Sequence, residues 1–488
     1  MSTGVLALDQ GSHASRACIF DESGDVCGSA SVPVATRQPA PLHVEHDAEE
    51  LAGSLQSAAE SALRAAREHH PRLELAAAGL AVQRSTIVCC SRVDGSALSP
   101  ALSWQDRRNA PWVEGLAPQA ERIRELTGLP LSPHYGASKF RWCLERLPAV
   151  ARAAQSGELL AAPLASYLSR RLDRHWQGAP IGVDAANAGR TQLFDTRKLD
   201  WSEELLELFS IRRAWLPICV STAGAWGTLG LADLEVELRA VTGDQSAVPY
   251  ALGAADPGTV YVNLGTGAFI QRPLHSRPES PAPLLGSVLS RDERGALFSL
   301  EGTVNGAGSA VSWFCTEEPC AEADLWPALE ALPDALSPPL FVNGIGGLGS
   351  PWWRVQQPSR FVGDAVVGSA HPPTSSATLL RFAGLVESIA FMIAVNAELL
   401  ARQAGSPRRV VLAGGISRSR WLGRRLAALL QLPVEVIDAE ASARGVAQLA
   451  SPASAANWPK VALHCHLPHH NAQLQARFRQ FTELMEKG

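Results

Sequence analysis

The first thirty residues alternate between short apolar runs and polar turns. Val5-Leu6-Ala7-Leu8 reads as a strand and Asp9-Gln10-Gly11-Ser12 as a turn; Ala17-Cys18-Ile19-Phe20 then reads as a second strand and Asp21-Glu22-Ser23-Gly24 as another turn. The period then changes. Asp47 to Arg67 fits a helix, with Asp47 as its cap, Glu49 and Glu50 in its first turn and alanines through its body. A buried strand is expected at Ala77 to Val82. About 250 residues after the first turn the pattern returns, a spacing suited to two similar stacked lobes and not to a short-period solenoid. Thr259 to Val262 is the strand, Asn263-Leu264-Gly265-Thr266-Gly267 the turn and Ala268 to Ile270 the second strand. Trp226 to Asp244 reads as a crossover between the lobes. The second lobe is expected to continue through Gly-rich Asn343 to Gly349, a helix from Phe382, the strand Val410 to Leu412 and Gly414-Gly415. Pro- and Ser-rich Ser451 to Pro459 marks its end, and a helical tail is expected from Ala472 to Glu486. The expected division is a first lobe over 1–245, a second over 246–452 and a tail over 453–488.

Composition removes several classes of function. With 46% hydrophobic and 19% charged residues in 488, the chain fills real cores. A net charge of −5 offers no basic field for nucleic acid or an anionic membrane. Only four lysines occur, Lys139, Lys198, Lys460 and Lys487, and no Gly-Lys pair exists, which excludes a Walker A loop. None lies in a Val-Ala-Ile-Lys-like strand, as a protein kinase requires. Nine cysteines without framework spacing, including Cys89-Cys90, read as reduced thiols. The apolar run Phe382 to Ala401 carries Glu387, Asn396 and Glu398 and reads as a buried helix, not a membrane span. The expectation is a soluble, cytoplasmic protein.

The two glycine-containing turns carry the strongest chemical signal. Their backbone N–H groups suit anions, and their glycines admit a polyphosphate. A carboxylate at a strand end, such as Asp9, suits Mg²⁺ held through water. Asp244, in Thr242-Gly243-Asp244-Gln245, is placed to accept a proton from an alcohol. Gly344 to Gly349 matches G-x-G-x-x-G, but Ser350-Pro351 follows where a dinucleotide site needs a helix. His464-Cys465-His466 with His469-His470 lacks paired ligand spacing for zinc, and no G-x-S-x-G occurs. The tryptophans, Trp104 and Trp352-Trp353 among them, suit cores or the walls of a sugar-binding cleft.

In sequence order, Ala7 to Arg16, Val44 to Asp47, Gln83-Arg84-Ser85-Thr86, Trp104 to Arg108, Asn187 to Phe194 and Gly243-Asp244-Gln245 are followed by Gly265 to Phe269, Leu300-Glu301-Gly302, Phe341 to Trp353, Glu387 to Ala390 and Gly414-Gly415. On these segments the chain resembles the FGGY family of carbohydrate kinases, and within it the glycerol kinase branch. The resemblance implies an α/β, two-lobed actin/hexokinase/Hsp70-like (ribonuclease H-like) fold with a central cleft, ATP and Mg²⁺, and a small polyol or sugar as acceptor. It leaves a homodimer open. It implies that Asp9 places Mg²⁺, and that Ser12, His13, Arg16, Gly265 and Thr266 lie at the phosphates. Gly308, Gly414 and Gly415 would lie by the adenosine. Asp244 would be the general base, with Arg84, Ser85, Trp104, His134, Gln245 and Phe269 shaping the acceptor pocket. Some positions depart from the glycerol kinase pattern. Ser85 replaces a glutamate and His134 a tyrosine, with Tyr135 adjacent, which favours a longer or differently substituted acceptor. His13 and Ala14 replace small hydroxyl residues, Ala413 an aspartate and Ser419 an asparagine, all at the nucleotide side. No Gly-rich regulatory loop is found near Ala223 to Leu231. The competing expectations are a pentulose or hexulose kinase, a non-catalytic sugar or nucleotide sensor on the same fold and, more distantly, a dinucleotide oxidoreductase.

Overall fold

The computed structural model describes residues 3–487 except 179, 319, 335, 364–376, 438–439, 457 and 460–461, so Lys460 lies outside the described residues. Two mixed sheets organise the molecule. The first has strands β1 (Thr3–Gln10), β2 (Ala14–Phe20), β3 (Val26–Pro33), β4 (Glu74–Val82), β5 (Thr228–Leu231) and β6 (Leu234–Gly243), in the order β5-β6-β4-β1-β2-β3. β1 is buried along nearly its whole length and β4 from Ala77 to Val82, as strands covered on both faces must be. The helix Ala48–His69 packs Leu51, Leu55, Ala58, Ala62 and Ala66 against this sheet. Its start follows from Asp47, whose carboxylate accepts from the backbone N–H of Glu49 and Glu50.

The second sheet has seven strands: β7 (Thr259–Leu264), β8 (Ala268–Leu274), β9 (Leu285–Asp292), β10 (Gly295–Val304), β11 (Arg409–Ala413), β12 (Val434–Val436) and β13 (His464–His466). Their order is β9-β10-β8-β7-β11-β12-β13. The expected repeat is present as hairpins: β1 pairs antiparallel with β2 and parallel with β4, while β7 pairs antiparallel with β8 and parallel with β11. A smaller four-stranded sheet, built on Ile87–Ser91, lies beside the first.

Two local expectations change. Asp9 belongs to β1 and registers with Arg16, so the turn begins at Gly11 and not at Asp9. Trp226 to Asp244 is no crossover; Thr228–Leu231 and Leu234–Gly243 form an edge hairpin whose second strand runs parallel to β4. The expected helical tail is present as Ala472–Lys487, and the segments after 453 pack on both lobes. Trp458 packs on Phe20 of the first sheet at 5.3 Å, β13 adds the seventh strand, and the helix Ala472–Lys487 buries Phe478 and Phe481 against Phe391.

The helix Ala377–Ala404 is the one element among the described residues long and apolar enough to cross a membrane, and it is buried in the second lobe's core. Its Glu387 accepts from Arg425 Nε at 3.3 Å and Arg477 Nε at 3.0 Å, which compensates the charge inside that core. After the strand Leu340–Val342 the Gly344 to Gly349 segment forms turns and opens no helix, so the dinucleotide expectation has no structural support there. All nine cysteines are free. The lobes meet through the helix Ala441–Ala450, whose Ala443, Val446 and Ala447 pack on the first sheet.

Candidate active site

β6, β4 and β1 are neighbours and parallel, and Gly243 and Gln10 both register with Val82. Their C-terminal ends are therefore level, and Asp9, Arg84 and Asp244 arise at one edge of the sheet. Ligands of open α/β sheets bind at such edges. The second lobe repeats the device: Asn263 registers with Ala413, so the Gly265 turn and Gly414 leave β7 and β11 side by side.

Burial raises Asp9 from 3.8 to about 7, the charge of Asp244 adds to that rise, and Arg16 opposes it. Asp244 is also raised by burial, and is pulled back by Arg84, by hydrogen bonds from Gln245 and by Arg190. Two carboxylates thus stand close enough to feel each other. The backbone N–H of Gln245 donates to Asp244 Oδ1 at 2.7 Å, which fixes the carboxylate at the first turn of the short helix Asp244–Ala247. Gln245 is itself held from the second lobe, since Asn263 Nδ2 donates to its Oε1 at 3.0 Å and Gln271 Nε2 to its carbonyl at 2.6 Å.

The residues expected at the acceptor come together. The guanidinium of Arg84 lies 4.6 Å from the centroid of the Phe269 ring. Trp104, His134 and Tyr135 form a row of edge contacts, at 5.5 Å and 5.1 Å between neighbouring centroids. His134 is held well below its ordinary value by burial and by the charges of Lys139, Arg190, Arg107 and Arg84, so its ring is neutral. Ser85 follows Arg84 with a φ of 64°.

The residues expected at the phosphates divide. Ser12 is tied to Trp104 and Gln83: Trp104 Nε1 donates to its hydroxyl at 2.9 Å, and that hydroxyl donates to Gln83 Oε1 at 3.0 Å. His13 is exposed at the hairpin tip. Arg16 is exposed as well and bonds Glu440 across the lobes at 3.1 Å, so its guanidinium is engaged. Gly265, Thr266 and Gly308 lie together, with the N–H of Gly308 donating to the Gly265 carbonyl at 3.0 Å and that of Ser309 to the Thr266 carbonyl at 2.9 Å. Gly414 abuts the Leu264 carbonyl, while Gly415 borders open space. Ser419 caps the helix Arg420–Leu430 and donates to Glu330 at 2.7 Å, which commits its hydroxyl to the fold.

Sequence reasoning gave no role to Arg190, Glu301, Lys139 or Gln83, which complete the site. Glu301 is fully buried and receives both Arg84 and Arg190. Burial depresses Arg84 to about 10 and Arg190 to about 9. The signal for Glu301 was a carboxylate inside the apolar strand Leu297 to Val304; for Lys139 it was the scarcity of lysine. Among the described residues no group of three or more His, Cys, Asp or Glu side chains is arranged to hold a metal ion, the tail histidines included. Asp9 beside Asp244 instead fits a cation that keeps most of its water.

Comparisons with known proteins identify the family and the fold. Residues 4–262 match the model of the FGGY family of carbohydrate kinases, N-terminal domain, and residues 260–454 that of its C-terminal domain. A glycerol kinase of Alcanivorax borkumensis is 32% identical over 465 residues, covering 91% of this chain and 88% of that one. The structure of Plasmodium falciparum glycerol kinase with ADP superposes with a TM-score of 0.85 at 19% identity, over 100% of this chain and 98% of that one. Xylulose kinase from Rhodospirillum rubrum does so with a TM-score of 0.82 at 20% identity, over 99% and 98%. These likenesses establish the two-lobed fold.

Proposed function

This chain belongs to the FGGY family of carbohydrate kinases, and we propose that it is an ATP-dependent kinase that phosphorylates a hydroxyl of a small polyol or sugar. The observation that carries the reading is the facing pair of strand edges: Asp9, Arg84 and Asp244 on the first sheet, and the Gly265 and Gly414 loops on the second. Phosphoryl transfer requires positioning and charge neutralisation, which such an arrangement supplies without a lysine loop. The acceptor lies among Arg84, Trp104, His134, Gln245 and Phe269. ATP lies along Gly265, Thr266, Gly308, Gly414 and Gly415. The acceptor hydroxyl passes its proton to the Asp244 carboxylate as its oxygen bonds to the γ-phosphorus; the bond from phosphorus to the ADP oxygen breaks and ADP leaves. Asp9 fits Mg²⁺ through water, because a carboxylate raised to about 7 by burial and by a second carboxylate is only partly compensated by Arg16. When bound, Mg²⁺ neutralises phosphate charge.

Ser85 and neutral His134 favour a ketose as a second reading within the family. A small hydroxyl and an uncharged ring leave more room, and less negative charge, than the glutamate and tyrosine of the glycerol kinase pattern. The test is an ADP-release screen over polyols, ketoses and sugars with the purified chain. Transfer to at least one acceptor is expected, and Asp244→Asn is expected to lower turnover by at least about 100-fold. ATP binding without any product would favour a sensor. Near-normal turnover of the Asn variant would reject the base.

A further inference from the structure

Glu301 lies on β10 in the second lobe, in register with Gln271 on β8. Its carboxylate is completely buried and reaches across to the first lobe. Oε1 accepts from Arg84 Nη1 at 3.2 Å and from the Ser299 hydroxyl at 2.8 Å; Oε2 accepts from Arg190 Nη2. The same two arginine nitrogens are steadied by serines, Arg84 by Ser246 at 3.4 Å and Arg190 by Ser287 at 3.0 Å. Phe269 lies against both guanidinium groups, 4.6 Å from that of Arg84 and 6.0 Å from that of Arg190. Each guanidinium has five donors and commits only one nitrogen to this network. The remaining arms of Arg84 are left to a ligand beside Asp244, whose charge Arg84 feels.

Two facts separate this triad from an ordinary structural ion pair. It is the buried ion-pair group among the described residues that crosses from one lobe to the other; Arg16–Glu440, which also crosses, is half exposed. It also ends on Arg84 itself, not on a remote scaffold residue. A buried carboxylate shared by two arginines is costly to desolvate and is stabilised only when both cations are in place. It therefore favours the arrangement in which the lobes are together.

We infer that Glu301 is the cross-lobe positioning residue of the acceptor site: it draws Arg84 and Arg190 of the first lobe against Phe269 of the second, so the acceptor pocket takes its binding shape as the lobes close. The inference rests on the kinase reading for its kinetic consequence, but not for its structural one.

The experiment compares the full chain with Glu301→Gln, and with Arg190→Lys should the first variant fail to fold. The first readout is the radius of gyration of the ligand-free protein by solution X-ray scattering, about 23 Å for a chain of this length. The second is the pair of KM values, for ATP and for whichever of glycerol and xylulose releases ADP. Each variant is expected to show a larger radius, and an acceptor KM raised about 10-fold or more with the ATP KM within about twofold. A purely structural carboxylate would lower the melting temperature and the active fraction while leaving acceptor KM unchanged. An unchanged radius overturns the inference, as does a rise of both KM values together. A wild-type chain that releases no ADP with either acceptor, and yet expands on Glu301→Gln, removes the kinase reading for these acceptors and keeps the positioning role.

Discussion

The ammonium of Lys139 donates to the carbonyl oxygen of Ser85 at 2.9 Å and to that of Ser103 at 2.7 Å, from a side chain that is 1% exposed. Ser85 has a φ of 64°, a left-handed conformation that costs an L residue about 1 kcal/mol. Ser103 precedes Trp104. One buried lysine therefore sets the backbone on both sides of the proposed acceptor pocket. Lys139→Met is expected to lower the melting temperature and raise the acceptor KM. Ser85→Gly in the same chain should recover part of that KM, because glycine takes positive φ without steric cost. Measuring both single variants and the double decides it: strictly additive effects would show that Lys139 does not act through Ser85.

Asp9 predicts a conflict between stability and activity. Its value is raised from 3.8 in an ordinary aspartate to about 7. Between those values the folded chain holds a proton that the unfolded chain has released, so stability falls as pH rises from about 4 to about 7 and stays reduced above. Asp9→Asn removes the penalty. In EDTA at pH 8 the variant should melt roughly 2 °C or more above the parent, with the gap closing near pH 4, and it should lose kinase turnover. Thermal scans at the two pH values test the sign; a variant that melts lower at both would refute it.

The hairpins, the capped helix and the buried helix over Phe382 to Ala401 were legible in the sequence because each is written locally, in alternation, in Asp47, or in a long apolar run. The level strand ends that bring Asp9, Arg84 and Asp244 together were legible only through the resemblance, since register between distant strands has no local signature. The Trp226 to Asp244 segment misled because a hairpin at a sheet edge and a crossover share the same apolar content. Glu301 was visible as an odd charge in a strand, but its partners Arg84 and Arg190 lie 217 and 111 residues away. The bond from Trp104 to Ser12 was out of reach for the same reason: it spans 92 residues.

Gly414 and Gly415 test the proposed nucleotide side apart from the proposed acceptor side. Gly414 has a φ of 90°, and a Cβ there would lie 2.4 Å from the Leu264 carbonyl oxygen; a Cβ on Gly415 would meet nothing within 4 Å. Gly414→Ala must push β11 from β7 or twist the loop, whereas Gly415→Ala requires neither. Both are expected to raise the ATP KM at unchanged acceptor KM, since Gly415 opens onto the proposed ATP path, but only Gly414→Ala is expected to lower the melting temperature as well. Steady-state kinetics and thermal scans of the two variants check it, and an ATP KM that neither variant moves would place ATP elsewhere.

Ser85 is the position at which the proposed acceptor pocket can be tested. The charges of Lys139, Arg190, Arg107 and Arg84 already depress His134, and Arg84 is the chain neighbour of Ser85. A carboxylate placed in that field stays ionised and gains a strong hydrogen-bond acceptor for adjacent hydroxyls, while filling volume that a longer acceptor would use. Its backbone cost at positive φ is no greater than that of serine, because both are unbranched L residues. Ser85→Glu should therefore raise kcat/KM for glycerol relative to xylulose by about 10-fold or more, a difference of roughly 1.4 kcal/mol between the two transition states. The added negative charge should also lift His134 back toward its ordinary value, visible in its ring proton shifts on titration. A ratio that stays flat or moves toward xylulose would mean that Ser85 does not face the acceptor.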